Sequence, residues 1–201
     1  MEAKTSVSKL AKKEADRQFC ATSRPAFLSK EGLSPTERGT ALHKFMQYAD
    51  FKNAQKNIQG EIDRLYEYEF ISESEREVIE PEKIARFINT DIFTRMLKSD
   101  KIFKEQRFLL EVKAGDIYND LREENKNEKI IIQGAVDCMF IENGSIVLID
   151  FKTDRTNSPE FLLEHYSEQL KIYSVAAEKM FGKKVKECYI YSLYMGKWIE
   201  V

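Results

Sequence analysis

Two aspartates and a lysine stand where a β-hairpin would carry them. The stretch from Ile130 to Arg155 reads IIIQGAVDCMFIENGSIVLIDFKTDR. Strand side chains alternate faces, so Asp150 and Lys152 point the same way and Phe151 points opposite. Asp137 lies on the preceding run. If Asn143-Gly144 closes a hairpin, Asp137 and Asp150 belong to adjacent strands and can converge. Two carboxylates buried side by side repel unless positive charge lies between them. A lysine supplies some, and a divalent cation supplies more. All-oxygen donors of this kind suit Mg²⁺ or Mn²⁺ rather than zinc. An isolated Asp-x-Lys at a hairpin end is ordinarily a surface ion pair. Here the nearly continuous apolar run Ser145 to Phe151 puts the charges at the end of a core strand, with a second acid facing them.

His43 is one of only two histidines in the chain. It sits beside the apolar stripe Leu42, Phe45, Met46 and Ala49 of a helix that opens at Ser34-Pro35-Thr36-Glu37, a capping box with proline at its first position. A histidine so placed is commonly a hydrogen-bonded boundary residue; the functional alternative is a metal ligand or a phosphate contact. Gly39, one turn earlier, lets another segment approach closely. Gln169 and Tyr173 lie four apart on a later helix and share its face. Glu105 falls in a charged run, as a solvated or ion-paired acid or as an outer acid supporting the site.

The elements that would position these groups follow from local signals. Thr5 to Phe19 has a weak helical stripe, and Cys20 to Leu33 reads as loop. Residues 1–33 thus resemble a linker leading in from something larger, followed by a unit over 34–201. Residues 34–100 are expected to be helical: the first helix to about Asp50, one continuous helix over 54–70, and short ones capped near Ser72, Pro81 and Asp91. Residues 101–201 carry the sheet. Lys101 to Val112 reads as a strand with Ile102, Lys104, Gln106, Phe108 and Leu110 on one face, and 113–128 as an exposed, mobile polar loop. After the hairpin, Ser158-Pro159 starts a helix that ends at Gly182, with Leu162, Leu163, Tyr166, Leu170, Tyr173, Ala177 and Met180 as its core stripe. Strands over Val185 to Tyr194 and Trp198 to Val201 close the chain. The helix between two strands allows them to lie parallel.

Composition limits the function classes. The chain has 201 residues, 33% charged, and a formal net charge of −2, so it lacks the footprint of a free-standing high-affinity DNA binder. No apolar run is long enough to span a membrane. The three cysteines, Cys20, Cys138 and Cys188, show no metal-cluster spacing and suit a reducing cytosol.

Taken in order, Gly39-Thr40-Ala41-Leu42-His43, Asp137, Ile149-Asp150-Phe151-Lys152-Thr153-Asp154 and Gln169-Leu170-Lys171-Ile172-Tyr173 resemble the motifs of the RecB-type nucleases in the PD-(D/E)XK superfamily, and within them the nuclease domains of AddA-type helicase–nuclease proteins. Val136 stands where the family pattern has proline. The resemblance implies an α/β fold, a mixed central sheet flanked by helices with an N-terminal helical subregion. It implies a Mg²⁺-dependent exonuclease, with Mn²⁺ able to substitute, acting on the 3′-terminated strand of single-stranded DNA during double-strand-break repair in the bacterial cytoplasm. Its partners would be a helicase region and an AddB-type protein. Asp137, Asp150, His43 and the Phe151 backbone carbonyl would hold the metal. Lys152 would position and help deprotonate water, and Gln169 and Tyr173 would orient the strand and the lysine, with Glu105 in support. The alternatives are a catalytically inactive DNA- or protein-binding module and a metal-dependent nuclease on RNA, since nothing in the sequence obviously reads a 2′-hydroxyl.

Overall fold

The computed structural model describes residues 4–6 as backbone, and residues 33–117 and 121–201 in full. A mixed sheet runs in the order β1-β3-β4-β5-β6, with β2 on the other edge of β3. The strands are β1 (Lys4–Ser6), β2 (Lys101–Lys113), β3 (Lys129–Glu142), β4 (Ser145–Lys152), β5 (Val185–Ser192) and β6 (Lys197–Glu200). Among the described residues six helices precede β2: α1 (Pro35–Tyr48), α2 (Phe51–Lys56), α3 (Ile58–Glu67), α4 (Glu73–Val78), α5 (Pro81–Ile88) and α6 (Asp91–Lys98). The long α7 (Pro159–Phe181) crosses from β4 to β5, which pair in parallel as the crossover allows. The helix expected from Thr5 does not begin there, because Lys4–Ser6 pair in parallel with β3; its remainder, and most of the loop expected up to Leu33, lie outside the described residues.

Local signals set most boundaries. Asn143 and Gly144 take φ of 52° and 78°, so the β3–β4 hairpin closes on the two residues best able to adopt positive φ. Ser34 and Glu37 form the reciprocal cap of α1, Ser72 and Glu75 that of α4, and Gly182 stops α7 in a left-handed conformation. Two boundaries differ from the sequence reading. The continuous helix expected over 54–70 is broken at Asn57, whose extended backbone ends α2 while its side chain accepts from Gly60 N–H and starts α3. Thr90, not Asp91, caps α6, its hydroxyl accepting from Phe93 N–H. The segment after β2 forms two short 3₁₀ turns, its ends tied by Ala114 N–H to the Glu128 carbonyl and Gly115 N–H to the Lys126 carbonyl.

Two cores flank the sheet. On one face α1–α6 pack Phe45, Phe87 and Phe93 against Phe140, Phe151 and Tyr191. On the other, α7 packs Leu162, Leu170, Tyr173 and Ala177 against Met139, Leu148 and Ile190. The strict alternation expected along β2 fails at Glu105. Ile102 packs with the helical layer, whereas Phe108, Leu110 and Val112 pack with α7. Glu105 has φ of 46°, and this left-handed residue rotates the strand and exchanges its faces. In β3 the faces exchange opposite it, between Val136 and Cys138, at Asp137.

Candidate active site

The β3–β4 ladder ends at the pair Cys138 and Ile149. The next residues along, Asp137 and Asp150, stand across from one another where it stops. Phe151 N–H, freed from the ladder, donates to Asp137 Oδ2 at 2.9 Å. Asp150 is buried to 1% exposure, and its Oδ2 lies 2.6 Å from Lys152 Nζ, an ion-pair distance. The approach leaves that buried oxygen without a hydrogen bond. Burial, and then the Asp150 charge, push the Asp137 carboxyl well above its ordinary range; Lys152 and the Phe151 N–H offset part of this.

Helices bring the remaining groups from opposite sides of the sheet. From α1, His43 Nδ1 reaches within 3.7 Å of Asp137 Oδ2. Burial and the nearby Lys152 charge lower its pKa, which favours the neutral imidazole that a ligand role requires. From α7, Gln169 Nε2 donates to Tyr173 Oη at 2.7 Å, which turns Gln169 Oε1 toward Lys152 Nζ, 3.4 Å away. Burial raises the Tyr173 pKa, so its hydroxyl stays protonated. Glu105 takes the position opposite Asp137, between the pairs Lys104–Cys138 and Gln106–Val136, and its charge adds to the upward shift of Asp137. All the side chains singled out from the sequence therefore gather where the β3–β4 ladder stops.

Three residues of this region were not read as site residues in the sequence. The Tyr166 ring lies 4.1 Å from Lys152 Nζ, a cation–π contact, and its hydroxyl donates to Asp154 at 3.0 Å. Tyr166 precedes Gln169 by three residues, so the shared helix face was a usable signal. Asp154 follows Lys152 by two, which was another. Thr153 packs against Gly39, where an added Cβ would lie 2.7 Å from its Oγ1.

Among the described residues no group of three His, Cys, Asp or Glu side chains is spaced to hold a metal ion, so a site here would take few protein ligands. Two neighbouring carboxyls, one of which resists ionising beside the other, fit a hard cation that needs few protein ligands.

A model of the PD-(D/E)XK nuclease superfamily matches residues 12–197. The chain belongs to the PD-(D/E)XK nuclease superfamily. It is 41% identical over 182 residues to the A subunit of the ATP-dependent helicase/nuclease of Clostridium botulinum (strain Okra / Type B1), across 89% of this chain and 14% of that protein. It is 38% identical over 172 residues to the protein of the same name from Clostridium kluyveri, across 84% of this chain and 14% of the relative. The chain thus spans about 14% of the length of these curated relatives. The solved structure of SSO0001 aligns over 97% of this chain and 73% of its own with a TM-score of 0.37 and 14% identity, too loosely to carry an argument. Val136 pairs with Gln106 inside the β2–β3 ladder.

Proposed function

We propose that this chain is a Mg²⁺-dependent deoxyribonuclease, an exonuclease that hydrolyses the 3′-terminated strand of single-stranded DNA. In this reading it serves a larger bacterial helicase–nuclease with an AddA-type motor and an AddB-type partner, processing broken ends in the cytoplasm. The convergence of Asp137, Asp150 and Lys152 at the end of the hairpin carries the reading; family membership and the names of the relatives support it.

Asp137, Asp150 and the Phe151 carbonyl would hold the ion, with His43 beside them; Mn²⁺ has the same preference for oxygen and could replace Mg²⁺. When bound, such a cation lowers the pKa of an attacking water and offsets the charge that develops on the phosphate oxygens. Lys152, as an ammonium donor, aligns that water, whose proton passes to solvent. Its own position is set from three sides: Asp150 Oδ2, Gln169 Oε1 and the face of Tyr166. Tyr173 fixes the Gln169 amide, Asp154 fixes Tyr166, and Glu105 supports Asp137 from the neighbouring strand. The water oxygen bonds to phosphorus, the bond from phosphorus to the 3′ oxygen breaks, and that oxygen leaves with a proton. The products carry 5′-phosphate and 3′-hydroxyl ends.

Labelled single-stranded DNA and RNA incubated side by side with Mg²⁺ test the proposal. DNA should be shortened from its 3′ end, and Asp150→Asn should lose at least about a hundredfold in rate. Cleavage by that variant at the wild-type rate would overturn the assignment, and equal digestion of both polymers would overturn the preference for DNA.

A further inference from the structure

We infer that a cationic cleft behind the end of β4 holds the backbone of the nucleic-acid strand beside the bond being cut. The inference rests on the nuclease reading of the neighbouring site and adds to it a second place where the same strand is gripped.

The cleft is walled by Arg38 and Gly39 from α1, Lys83 from α5, and Thr153, Arg155 and Leu193 around the strand ends. It borders the site directly. Leu193 N–H donates to the Lys152 carbonyl at 2.8 Å, so one wall is a single hydrogen bond away from the lysine of the site. Alternation along the chain sends Lys152 to the site and Thr153 to the cleft. Site and cleft therefore lie back to back across the end of β4. A strand whose phosphate sits at Lys152 has this end to pass.

The charge of the cleft departs from that of the chain. Arg38, Lys83 and Arg155 face one carboxylate, Glu80, in a protein whose formal net charge is −2. Glu80 pairs with Lys83 at 2.8 Å but is itself half exposed. Arg38 uses only Nε, donating to the Leu33 carbonyl at 3.1 Å. Among the described residues its terminal nitrogens meet no carboxylate, and Arg155, which is exposed, makes no ion pair. Arg64, Arg76, Arg95 and Lys44 each have an acidic partner, whereas Arg86 and Arg107 have none among the described residues, so what sets the cleft apart is that two such guanidinium groups and Lys83 line one hollow. Two unmatched guanidinium groups favour phosphate, whose oxygens they bind in pairs. Tyr194 also lines the cleft with its ring 38% exposed, giving a base a surface on which to stack.

Binding of a short fluorescent oligothymidylate, measured without divalent metal across salt from about 50 to 200 mM, tests this on the whole chain. Carrying Asp150→Asn throughout keeps cleavage from interfering. Adding R38A and R155A should flatten the slope of log K against log salt by about 1.4, roughly 0.7 for each phosphate left without its cation. R38K with R155K, which keeps the charges, should retain the slope and also controls for folding. In the cleavage-competent chain, R38A/R155A should raise KM for the oligonucleotide with kcat little changed. It should leave hydrolysis of thymidine 5′-(p-nitrophenyl) phosphate, which has no flanking phosphates, unaltered. An unchanged salt slope in R38A/R155A overturns the inference, as does a slope that responds only to competition by an acidic peptide. A slope flattened by R38A/R155A, with a wild-type chain that cuts no DNA, would uphold the cleft and sink the nuclease reading instead.

Discussion

At the scale of single residues, the site is built around a carboxyl held in a position where it resists ionising. The Asp137 pKa is raised above its ordinary 3.8 by burial and by Asp150. A carboxyl that binds its proton more tightly folded than unfolded contributes stability that is fully present below the unfolded value and is lost as pH rises through the folded one. In EDTA, the wild-type melting temperature should therefore fall from about pH 4 toward neutrality relative to Asp137→Asn. Mg²⁺ should reverse the loss at neutral pH, by about 2.7 kcal/mol at a hundredfold excess over its Kd, in the wild type and not in Asp150→Asn. Calorimetry with and without metal checks both. Tyr166 gives a separable test. Tyr166→Phe keeps the ring under Lys152 and should retain most of kcat, whereas Tyr166→Leu should lower kcat about tenfold with KM unchanged, a loss of roughly 1.4 kcal/mol in the transition state.

At the scale of elements, α1 is seated by neighbours at both ends, and His43 depends on that seating. Near its start, Gly39 lies against Thr153 so closely that a Cβ would come within 2.7 Å of Oγ1. Gly39→Ala should gain up to about 1 kcal/mol in helix propensity and lose about 1–3 kcal/mol to crowding. Adding Thr153→Ala should recover the loss, a coupling that urea denaturation of the four proteins would measure. Just past its end, the Lys104 ammonium donates to the Ala49 carbonyl and lies 3.3 Å from the centre of the Phe51 ring. Burial lowers Lys104 from 10.5 to about 8. Between those values the unfolded chain holds the proton and the folded chain has shed it. The resulting penalty is present below about pH 8 and is relieved as pH rises toward 10.5. Wild type should therefore gain urea stability relative to Lys104→Met between about pH 7.5 and about pH 10.

At the scale of the whole molecule, the candidate site and a cluster of ion pairs lie at opposite ends of β4. The turn end is clamped by Arg95 on α6, which donates to Glu142 on β3 at 2.7 Å and to Glu187 on β5 at 2.8 Å, with Lys186 beside them. Arg95, and then Lys186, hold the Glu142 carboxyl down at about 2. This depressed carboxylate contributes stability present above its ordinary 4.5 and lost as pH falls toward 2. Arg95→Leu should cost about 1–2 kcal/mol at neutral pH, less in high salt, and should leave kcat of the folded protein unchanged. A fall in kcat measured well below the melting temperature would show instead that the two ends are coupled.

The sequence by itself determined the chemical inventory and its order. Asn143-Gly144, the Ser34–Glu37 and Ser72–Glu75 caps and the shared face of Asp150 and Lys152 all depend on interactions within a few residues or on the strict period of a strand. Local physics is enough to set such features. The break at Asn57 was masked by apolar spacing that continues through it, and the exchange of faces at Glu105 by the assumption of unbroken alternation. Only the tertiary structure decided that Tyr166 lies beneath Lys152 and that Arg38, Lys83 and Arg155, far apart in the chain, line one cleft. Those groups meet because two helical layers close on opposite faces of one sheet. Which side chains face each other across such a packing depends on the whole fold, and no short window of sequence encodes it.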